Sequence, residues 1–434
     1  MHKSVWSDTL TMPKFSDLGG DTKTDVLIIG GGLAGILIAY AMERAGVEYL
    51  LIEANEICGG ISRNTTAKIT SQHGLIYRKL VKKYGESTAR KYWNAQEEAL
   101  EEYRSLSQTI PCEFEAKDAY VYSTARTAPL RQEFTALKRA GIPAEFIRET
   151  PLPFPVSCAI RFQNQAQFHP LKFAAGLVPT LNIREHTAAR AFDGNKVLTD
   201  CGRIRAKNIV VTTHFPMFNK HGGYFLKMYQ DRSYVLALKG ALDVDGMYLD
   251  ASGQGLSLRN YGQFLLVGGG AHRTGKHGSG WSEPEEFANQ YCPGAEKAYY
   301  WAAQDCMTLD GIPYIGLYSK NTPGLYVATG FNKWGMTSSM VSAKILCDLI
   351  RGKQNRYSDV FSTSRTMLHP QLLTNVVEAA SNLLTFSKPR CPHMGCALKW
   401  NAQERSWDCP CHGSRFSKEG VRLDNPATGD VNLT

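Results

Sequence analysis

The segment from Asp25 to Glu53 combines two hydrophobic periods, one typical of a strand and one typical of a helix. An unbroken apolar run, Val26 to Ile29, predicts a buried parallel strand. After a glycine-rich turn, apolar residues recur at helical spacing as far as Gly46, which favours the end of a helix. A second apolar run then leads directly to Glu53. The pattern therefore predicts a strand–helix–strand unit.

The turn in this unit has the spacing G-x-G-x-x-G, formed by Gly30, Gly32 and Gly35. The first glycine allows a tight turn, the second lets a pyrophosphate approach the backbone, and the third lets the helix pack on the strand. The helix N-terminus offers N–H groups to the phosphates, and Glu53 can accept a hydrogen bond from a ribose hydroxyl. The unit predicts a dinucleotide site; the alternative is a glycine-rich turn in an ordinary α/β core.

A polar loop, Cys58 to His73, follows the second strand and is rich in Gly, Ser and Thr. A loop in this position can reach back over the cofactor. The alternative is a polar surface loop. Its candidate side chains for binding phosphate or the edge of the cofactor ring are Arg63, Thr65, Thr66 and Lys68.

A second Gly-bearing loop followed by a helix lies further along the chain. A strand is predicted at 325–328, the loop covers 329–335, and a helix is predicted at 338–351. The dipole of such a helix favours a negative charge at its N-terminus. The candidate cofactor-binding residues of this loop are Gly330, Lys333 and Gly335.

The composition is that of a globular protein of more than one domain, with 434 residues, 43% of them hydrophobic. The formal net charge of +9 favours anionic partners in general. The basic residues are scattered, however, and the densest run, Tyr77 to Tyr84, predicts a solvated helix face. We therefore expect no nucleic-acid binding.

The first twenty residues contain charged side chains and no apolar core, so no signal peptide is predicted and a cytoplasmic location is expected. The longest uncharged apolar stretch, Val26 to Met42, is interrupted by glycines and is already explained as strand and helix. No membrane span is expected.

Four of the eleven cysteines are clustered near the C-terminus, which points to chemistry there. Cys391 and His393 form C-x-H, and Cys409 and His412 form C-x-x-H. Two thiols and two imidazoles in alternating pairs suit either a tetrahedral zinc site or a Rieske [2Fe-2S] cluster, in which two thiolates bind one iron and two imidazoles bind the other.

The body of the chain, from about residue 24 to 365, resembles the D-amino-acid oxidase superfamily of FAD enzymes, which includes glycine and sarcosine oxidases. The resemblance is carried by GGGLAG with Glu53, the Thr-rich loop at 65–70, the strand at 208–213, and DGIPYIG followed by LYVATGFNKWGMT. It implies FAD as cofactor and oxidation of C–N bonds by hydride transfer to the flavin.

Two residues in loops expected near the flavin are candidates for catalysis. His73 is a candidate proton acceptor, and Lys333 is a candidate cation that polarises the flavin. The alternatives are that His73 is a surface histidine whose hydrogen bonds are satisfied and that Lys333 is a solvated lysine, neither with a role in catalysis.

The C-terminal part resembles the Rieske proteins of respiratory cytochrome complexes, from CPHMGC to CPCHGSRF. The resemblance implies a disulfide between Cys396 and Cys411 that ties the two ligand loops, and a hydrogen bond from Ser414 to a cluster sulfur. So few residues cannot stabilise a domain by burial alone, so we expect the module to dock on the FAD-binding body.

The expected fold class is α/β, with a Rossmann-like FAD-binding domain interleaved with an antiparallel-sheet α+β substrate domain and followed by a small β-rich Rieske subdomain. The expected ranges are 24–111, 157–213 and 306–365 for the FAD-binding domain, 112–156 and 214–305 for the substrate domain, 366–388 for a linker helix and 389–434 for the Rieske subdomain. Residues 1–23 are expected to be irregular.

Together these features predict an FAD-dependent dehydrogenase that oxidises a small amine or amino acid. Electrons would pass from FAD to the Rieske cluster and on to an external acceptor. One alternative is an oxygen-reducing amine oxidase with a structural cluster. The other is a non-catalytic redox or iron sensor.

Overall fold

The computed structural model describes residues 3–217, 221–252, 255–385 and 388–433. The strands in these ranges are β1 (Thr22–Ile29), β2 (Tyr49–Ile52), β3 (Lys68–Ile69), β4 (Glu115–Ser123), β5 (Glu145–Ile147), β6 (Cys158–Gln167), β7 (Ile183–Arg184), β8 (Ala189–Asp193), β9 (Lys196–Thr199), β10 (Gly202–Val211), β11 (Met228–Lys239), β12 (Met247–Asp250), β13 (Ser257–Tyr261), β14 (Phe264–Arg273), β15 (Glu296–Thr308), β16 (Tyr314–Leu317), β17 (Leu325–Thr329), β18 (Lys399–Asn401), β19 (Ser406–Asp408), β20 (Arg415–Ser417) and β21 (Arg422–Asp424). The helices are α1 (Val5–Thr9), α2 (Leu33–Arg44), α3 (Ile76–Tyr84), α4 (Glu86–Leu106), α5 (Ala128–Arg139), α6 (Pro170–Leu177), α7 (Tyr224–Lys227), α8 (Ser282–Tyr291), α9 (Gly335–Ile350) and α10 (Pro370–Leu383).

The first sheet has the order β16-β17-β10-β1-β2-β7, with β9 and β8 added beside β10. Its central strands are parallel and in register, so that Ile29 lies beside Ile52 and Val211, and Val211 lies beside Val327. The carboxyl ends of four strands therefore meet at one edge, where ligands bind in open α/β sheets. The predicted strand–helix–strand unit is β1, α2 and β2.

Two glycines of the predicted turn are required by close packing. Gly30 has a φ of +115°, and a Cβ there would lie 2.9 Å from the carbonyl oxygen of Thr212. A Cβ on Gly35 would lie 2.0 Å from the carbonyl oxygen of Gly30. A side chain at Gly30 would push the turn away from the end of β10, and one at Gly35 would push α2 away from the turn.

The second sheet has the order β15-β11-β14-β13-β12-β4-β6-β3, with β5 beside β6. All its pairs are antiparallel except β12 with β4. Along the chain, strands of the second sheet alternate with strands of the first sheet, which confirms the interleaved fold. Two strands differ from expectation: β6 lies within 157–213 and β3 within 24–111, both expected to be FAD-binding, yet β6 pairs with β4 and with β3 in the second sheet. The other domain boundaries stay predictions.

Part of the N-terminal segment is helical, contrary to expectation, whereas residues 10–21 contain no helix or strand, as expected. It forms the short helix α1, whose Trp6 is fully buried and donates a hydrogen bond from Nε1 to the carbonyl oxygen of Thr65 at 2.7 Å. Ser4 likewise bonds the carbonyl oxygen of Arg63 at 2.5 Å. The helix thus holds the polar loop in place. A segment of five residues carries no sequence pattern that predicts this tertiary contact.

The C-terminal part consists of α10 and a third, antiparallel sheet in the order β18-β19-β20-β21. A linker helix and a small β-rich subdomain were both expected. None of the described helices is long and apolar enough to cross a membrane.

Candidate functional site

A cavity of about 1180 Å³ opens at the carboxyl ends of the parallel strands, between the first and second sheets. Gly35 is not on its wall, because it packs behind the turn. The other residues predicted to bind the cofactor all line it: Gly30, Gly32, Glu53, Arg63, Thr65, Thr66, Gly330, Lys333 and Gly335.

Two helices begin at the cavity wall. Gly32 caps α2, and a Cβ built there would meet only the Ser62 hydroxyl, at 3.3 Å, so this part of the wall is open. Gly335 is the first residue of α9. Both N-termini offer backbone N–H groups and a positive dipole end, which suits a pyrophosphate and an anionic ring. Ser62, whose Oγ accepts from Leu33 N at 2.9 Å, was not predicted.

Glu53 lies on the cavity wall at the end of β2. Its Oε2 accepts a hydrogen bond from Gly31 N at 2.7 Å, and its Oε1 accepts one from Asn55 N at 2.9 Å. Burial raises its pKa. The carboxylate therefore fastens the glycine turn to β2 and still has acceptor capacity toward the cavity. Its bond to a ribose stays a prediction.

Lys333 lies in the cavity with two carboxylates that sequence reasoning missed. Asp231 on β11 and Asp305 on β15 are cross-strand neighbours, and Lys333 Nζ is 3.9 Å from Asp231 Oδ2. Burial raises the pKa of Asp305 to about 6; Lys333 lowers it and Asp231 raises it. A carboxyl with this pKa beside a lysine can exchange a proton near neutral pH.

Lys333 also has a left-handed backbone, with a φ of +72°. This conformation costs about 1–2 kcal/mol in a residue other than glycine. Such strain is retained where it places a functional side chain. A second lysine on the wall, Lys68, donates to Tyr248 O at 2.6 Å and to Ser257 Oγ at 2.7 Å. Burial lowers its pKa to about 7.

His73 is buried outside the cavity wall. Its Nδ1 pairs with Tyr92 Oη at 2.6 Å and its Nε2 with Thr70 O at 2.8 Å. Burial lowers its pKa to about 3. Its ring stacks on Trp334, which does line the cavity. The structure thus gives His73 a packing role behind Trp334, and its catalytic role stays an untested prediction.

The predicted cluster ligands come together in two similar loops. Gly395 N donates to Cys391 O, and Gly413 N donates to Cys409 O, each at 2.9 Å. The rings of His393 and His412 lie 4.9 Å apart between centroids. The two loops thus bring all four ligand residues to one place.

Burial keeps the two histidine side chains in the neutral form that binds metal. It lowers the pKa of His412 to about 3 and that of His393 to about 4, so both imidazoles are neutral, the form that ligates. Nδ1 of His412 is buried without a hydrogen-bond partner among the described residues, as expected for a ligand atom. The Ser414 hydroxyl lies beside the Cys391 sulfur and acts to lower its pKa; its hydrogen bond to a cluster sulfur stays a prediction.

The expected disulfide is not present in this structure. Cys396 and Cys411 are free thiols, although their sulfur atoms, with that of Cys409, lie within 4.8 Å of one another. The disulfide that the Rieske resemblance implies therefore stays a prediction.

Two strands of the second sheet separate the cavity from the cluster loops. Because side chains alternate along a strand, β11 and β15 present Asp231 and Asp305 to the cavity. Their neighbours face the other way: Gln230 Nε2 donates to His412 O at 2.6 Å, and Gln304 Nε2 donates to Gly413 O at 2.8 Å. The strands β11 and β15 therefore contact the cavity on one face and the second cluster loop on the other.

The C-terminal module also reaches into the cavity. Its segment from Arg422 to Thr428 forms part of the wall. His214, also on the wall, is half-buried, and the loss of solvation lowers its pKa to about 4. The next residue, Phe215, packs edge-on against His412. The cavity and the cluster loops are therefore in contact through neighbouring residues.

A nucleotide-type cavity at the ends of parallel strands, backed by a Cys₂His₂ module, defines a redox protein with two cofactor sites. The FAD dependent oxidoreductase family matches residues 25–349, and the Rieske [2Fe-2S] domain matches residues 362–433. The chain belongs to this FAD-dependent oxidoreductase family and carries a Rieske domain. Its cofactors are FAD and a [2Fe-2S] cluster, which decides against zinc.

Relatives agree with this assignment. The putative Rieske 2Fe-2S iron-sulfur protein YhfW of Bacillus subtilis (strain 168) is 34% identical over 98% of this chain and 96% of its own length. Gamma-glutamylputrescine oxidoreductase of Escherichia coli (strain K12) is 22% identical over 80% of this chain and 88% of that protein. Glycine oxidase from Geobacillus kaustophilus has a TM-score of 0.66 at 18% identity, covering 79% of this chain and 99% of its own.

We predict that Gly32→Val yields folded protein without flavin, because the added side chain fills space that the pyrophosphate requires. Flavin absorbance per chain measures this directly. The matched control is Gly429→Val, since a Cβ there meets nothing within 4 Å, and it should keep its full flavin content. A Gly32→Val protein with normal FAD would contradict the site.

We predict that His412→Ala loses the rhombic electron paramagnetic resonance signal of the reduced cluster, because the cluster requires this ligand, and keeps its flavin, because His412 is not on the cavity wall. Iron and acid-labile sulfide should fall from two each per chain. The exposed His221 provides the control: His221→Ala should keep both. Loss of flavin together with the cluster would show that the cavity depends on the ligand loop.

Proposed function

We propose that the protein is a dehydrogenase that oxidises a small amine or amino acid and sends the electrons through the Rieske cluster to an external acceptor. The observation that supports this most is the shared layer of β11 and β15. Layers of a protein pack about 10 Å apart, so two groups on opposite faces of this layer lie close enough for electrons to pass between them.

The substrate class rests on the relatives and on the charges in the cavity. Glycine oxidase, L-proline dehydrogenase and L-amino acid deaminase are named for amino acids, and they share the fold. An ammonium group in the cavity would meet Asp231 and Asp305. These carboxylates favour binding of a cation, and one of them can take up the proton that an amine must lose before oxidation.

In this proposal FAD supplies hydride acceptance and the cluster supplies one-electron transfer. The chain's own residues bind and orient. Asp305 accepts the substrate proton; burial, with a smaller contribution from Asp231, keeps its pKa high, and Lys333 limits that rise. Gln230 and Gln304 fix the cluster loop on the opposite face of the same strands.

We predict that the rate of anaerobic flavin bleaching by substrate rises with pH through about 6, because Asp305 must be ionised to accept a proton. Asp305→Asn should lose this rise and react about 10²-fold more slowly. Asp231→Asn should instead move the rise to lower pH, since it removes the carboxylate that raises the pKa of Asp305. Stopped-flow absorbance measures all three, and a pH profile unchanged in Asp305→Asn would exclude it as the base.

We predict that Cys409→Ser, which removes a cluster ligand, leaves bleaching of the flavin by substrate intact and abolishes electron transfer to a one-electron acceptor dye. Cys201→Ser, at a free cysteine in the turn between β9 and β10, is the control and should behave as wild type. Equal dye reduction with and without the cluster would assign it a structural role, and peroxide formation would then favour the oxidase. A flavin that no amine or amino acid bleaches would favour the sensor.

A further inference from the structure

Helix α10 has its amphipathic faces reversed. In a surface helix the apolar face normally packs on the body and the polar face meets water. Here Asn375 and Asn382 are the buried residues of the helix. Asn375 Nδ2 donates to Leu226 O at 3.1 Å, and its Oδ1 accepts from Arg273 at 2.8 Å. Asn375 thus fixes the helix to the protein, while Asn382 Nδ2 donates within the helix, to Glu378 O at 2.7 Å.

The opposite stripe is apolar and exposed. Leu373 is 69% exposed and Val377 58% exposed, and Leu384, which follows the last turn, is 72% exposed. Isolated apolar side chains on a surface need no explanation, but a continuous row of them marks an interaction site. We call this row the apolar strip; it consists of Leu373, Val376, Val377, Ala380, Leu383 and Leu384.

The apolar strip is connected to the first ligand loop of the cluster. Arg390 Nη1 donates both to Leu383 O at 3.0 Å and to Gly395 O at 2.6 Å. Ala397 N donates to Asn382 O at 3.1 Å. Met394 in this loop is exposed. Whatever covers the strip therefore lies beside the cluster loop.

Basic groups flank the strip. The one acid of the helix, Glu378, is paired with Lys276 Nζ at 2.6 Å. At the N-terminus, burial and the charges of Lys83 and Lys79 lower the pKa of His369, the capping residue, against an opposite effect of Asp310, which is itself paired with Arg365. At the other end, Lys388 lies close enough to help lower the pKa of Lys399, after the larger effect of burial. The surroundings favour an anionic occupant.

We propose that α10 binds the surface of a bilayer that contains anionic lipids, with the strip among the acyl chains and the flanking basic groups on the headgroups. A helix with an apolar row and basic surroundings lies in this way in the membrane interface. A protein partner fits less well, because interface hot spots are rich in Trp, Tyr and Arg, and the strip consists of Leu, Val and Ala. The inference does not depend on the proposed function.

The test is co-sedimentation of the FAD- and cluster-loaded protein with vesicles of phosphatidylcholine, with and without phosphatidylglycerol. We expect binding to the anionic vesicles that weakens with added salt. The variant Leu373→Gln/Val377→Gln/Leu384→Gln should bind at least tenfold more weakly, since glutamine keeps the helix propensity and removes the apolar surface. Leu384→Gln alone should weaken binding less.

The matched control carries the same number of changes at exposed apolar residues elsewhere. Leu198→Gln/Leu317→Gln/Val421→Gln should bind vesicles as wild type does, and all proteins should show the same flavin and cluster absorbance. Failure of the wild type to bind either vesicle would overturn the proposal. So would binding that the strip variant leaves unchanged, or a wild-type dimer in solution that only the strip variant converts to monomer.

Discussion

A buried ion network holds the cluster module on the flavin-binding body. Glu404 accepts hydrogen bonds from Arg232 Nε of β11 at 2.8 Å and from Arg415 Nη2 of β20 at 2.9 Å, and Arg415 also binds Asp408. Burial alone would raise the pKa of Glu404, yet the two arginines hold it at about 2. Removing one partner of such a network typically costs about 3–5 kcal/mol. The four short strands of the module bury too little to replace that stabilisation.

Because the module docks here, β11 and β15 face the cavity on one side and the cluster module on the other. Arg232, Gln230 and Gln304 lie on the face toward the module, while Asp231 and Asp305 lie on the face toward the cavity. The two-residue period of a strand is sufficient to separate these roles. A shift of either strand by one residue would exchange the faces and destroy both sites. The register of a single antiparallel pair therefore fixes the position of the cluster loop relative to the cavity.

Sequence reasoning found those parts of the site whose residues are close along the chain. The turn at Gly30 and Gly32 is local, and so are the two cluster loops, so spacing was enough to select these residues, although it left a zinc site open for the loops. Asp231 and Asp305 escaped it, because they meet only through the pairing of two strands far apart in sequence. His73 was predicted as a catalytic candidate from its place in a loop. Whether a loop side chain points toward a cavity depends on its hydrogen-bond partners, such as Tyr92 on α4.

The orientation of α10 shows the same limit in its simplest form. The spacing of Leu373, Val376 and Val377 predicts an amphipathic helix, and that is what forms, but a period does not state which face the protein will cover. Here the body offers Arg273 and the carbonyl oxygen of Leu226, which only polar side chains can satisfy. An unpaired polar group costs about 1–3 kcal/mol when buried, so Asn375 turns inward. The apolar face of α10 is then left exposed to solvent. Burying this face against another surface would be favourable, so the exposed strip favours binding to a surface outside this chain.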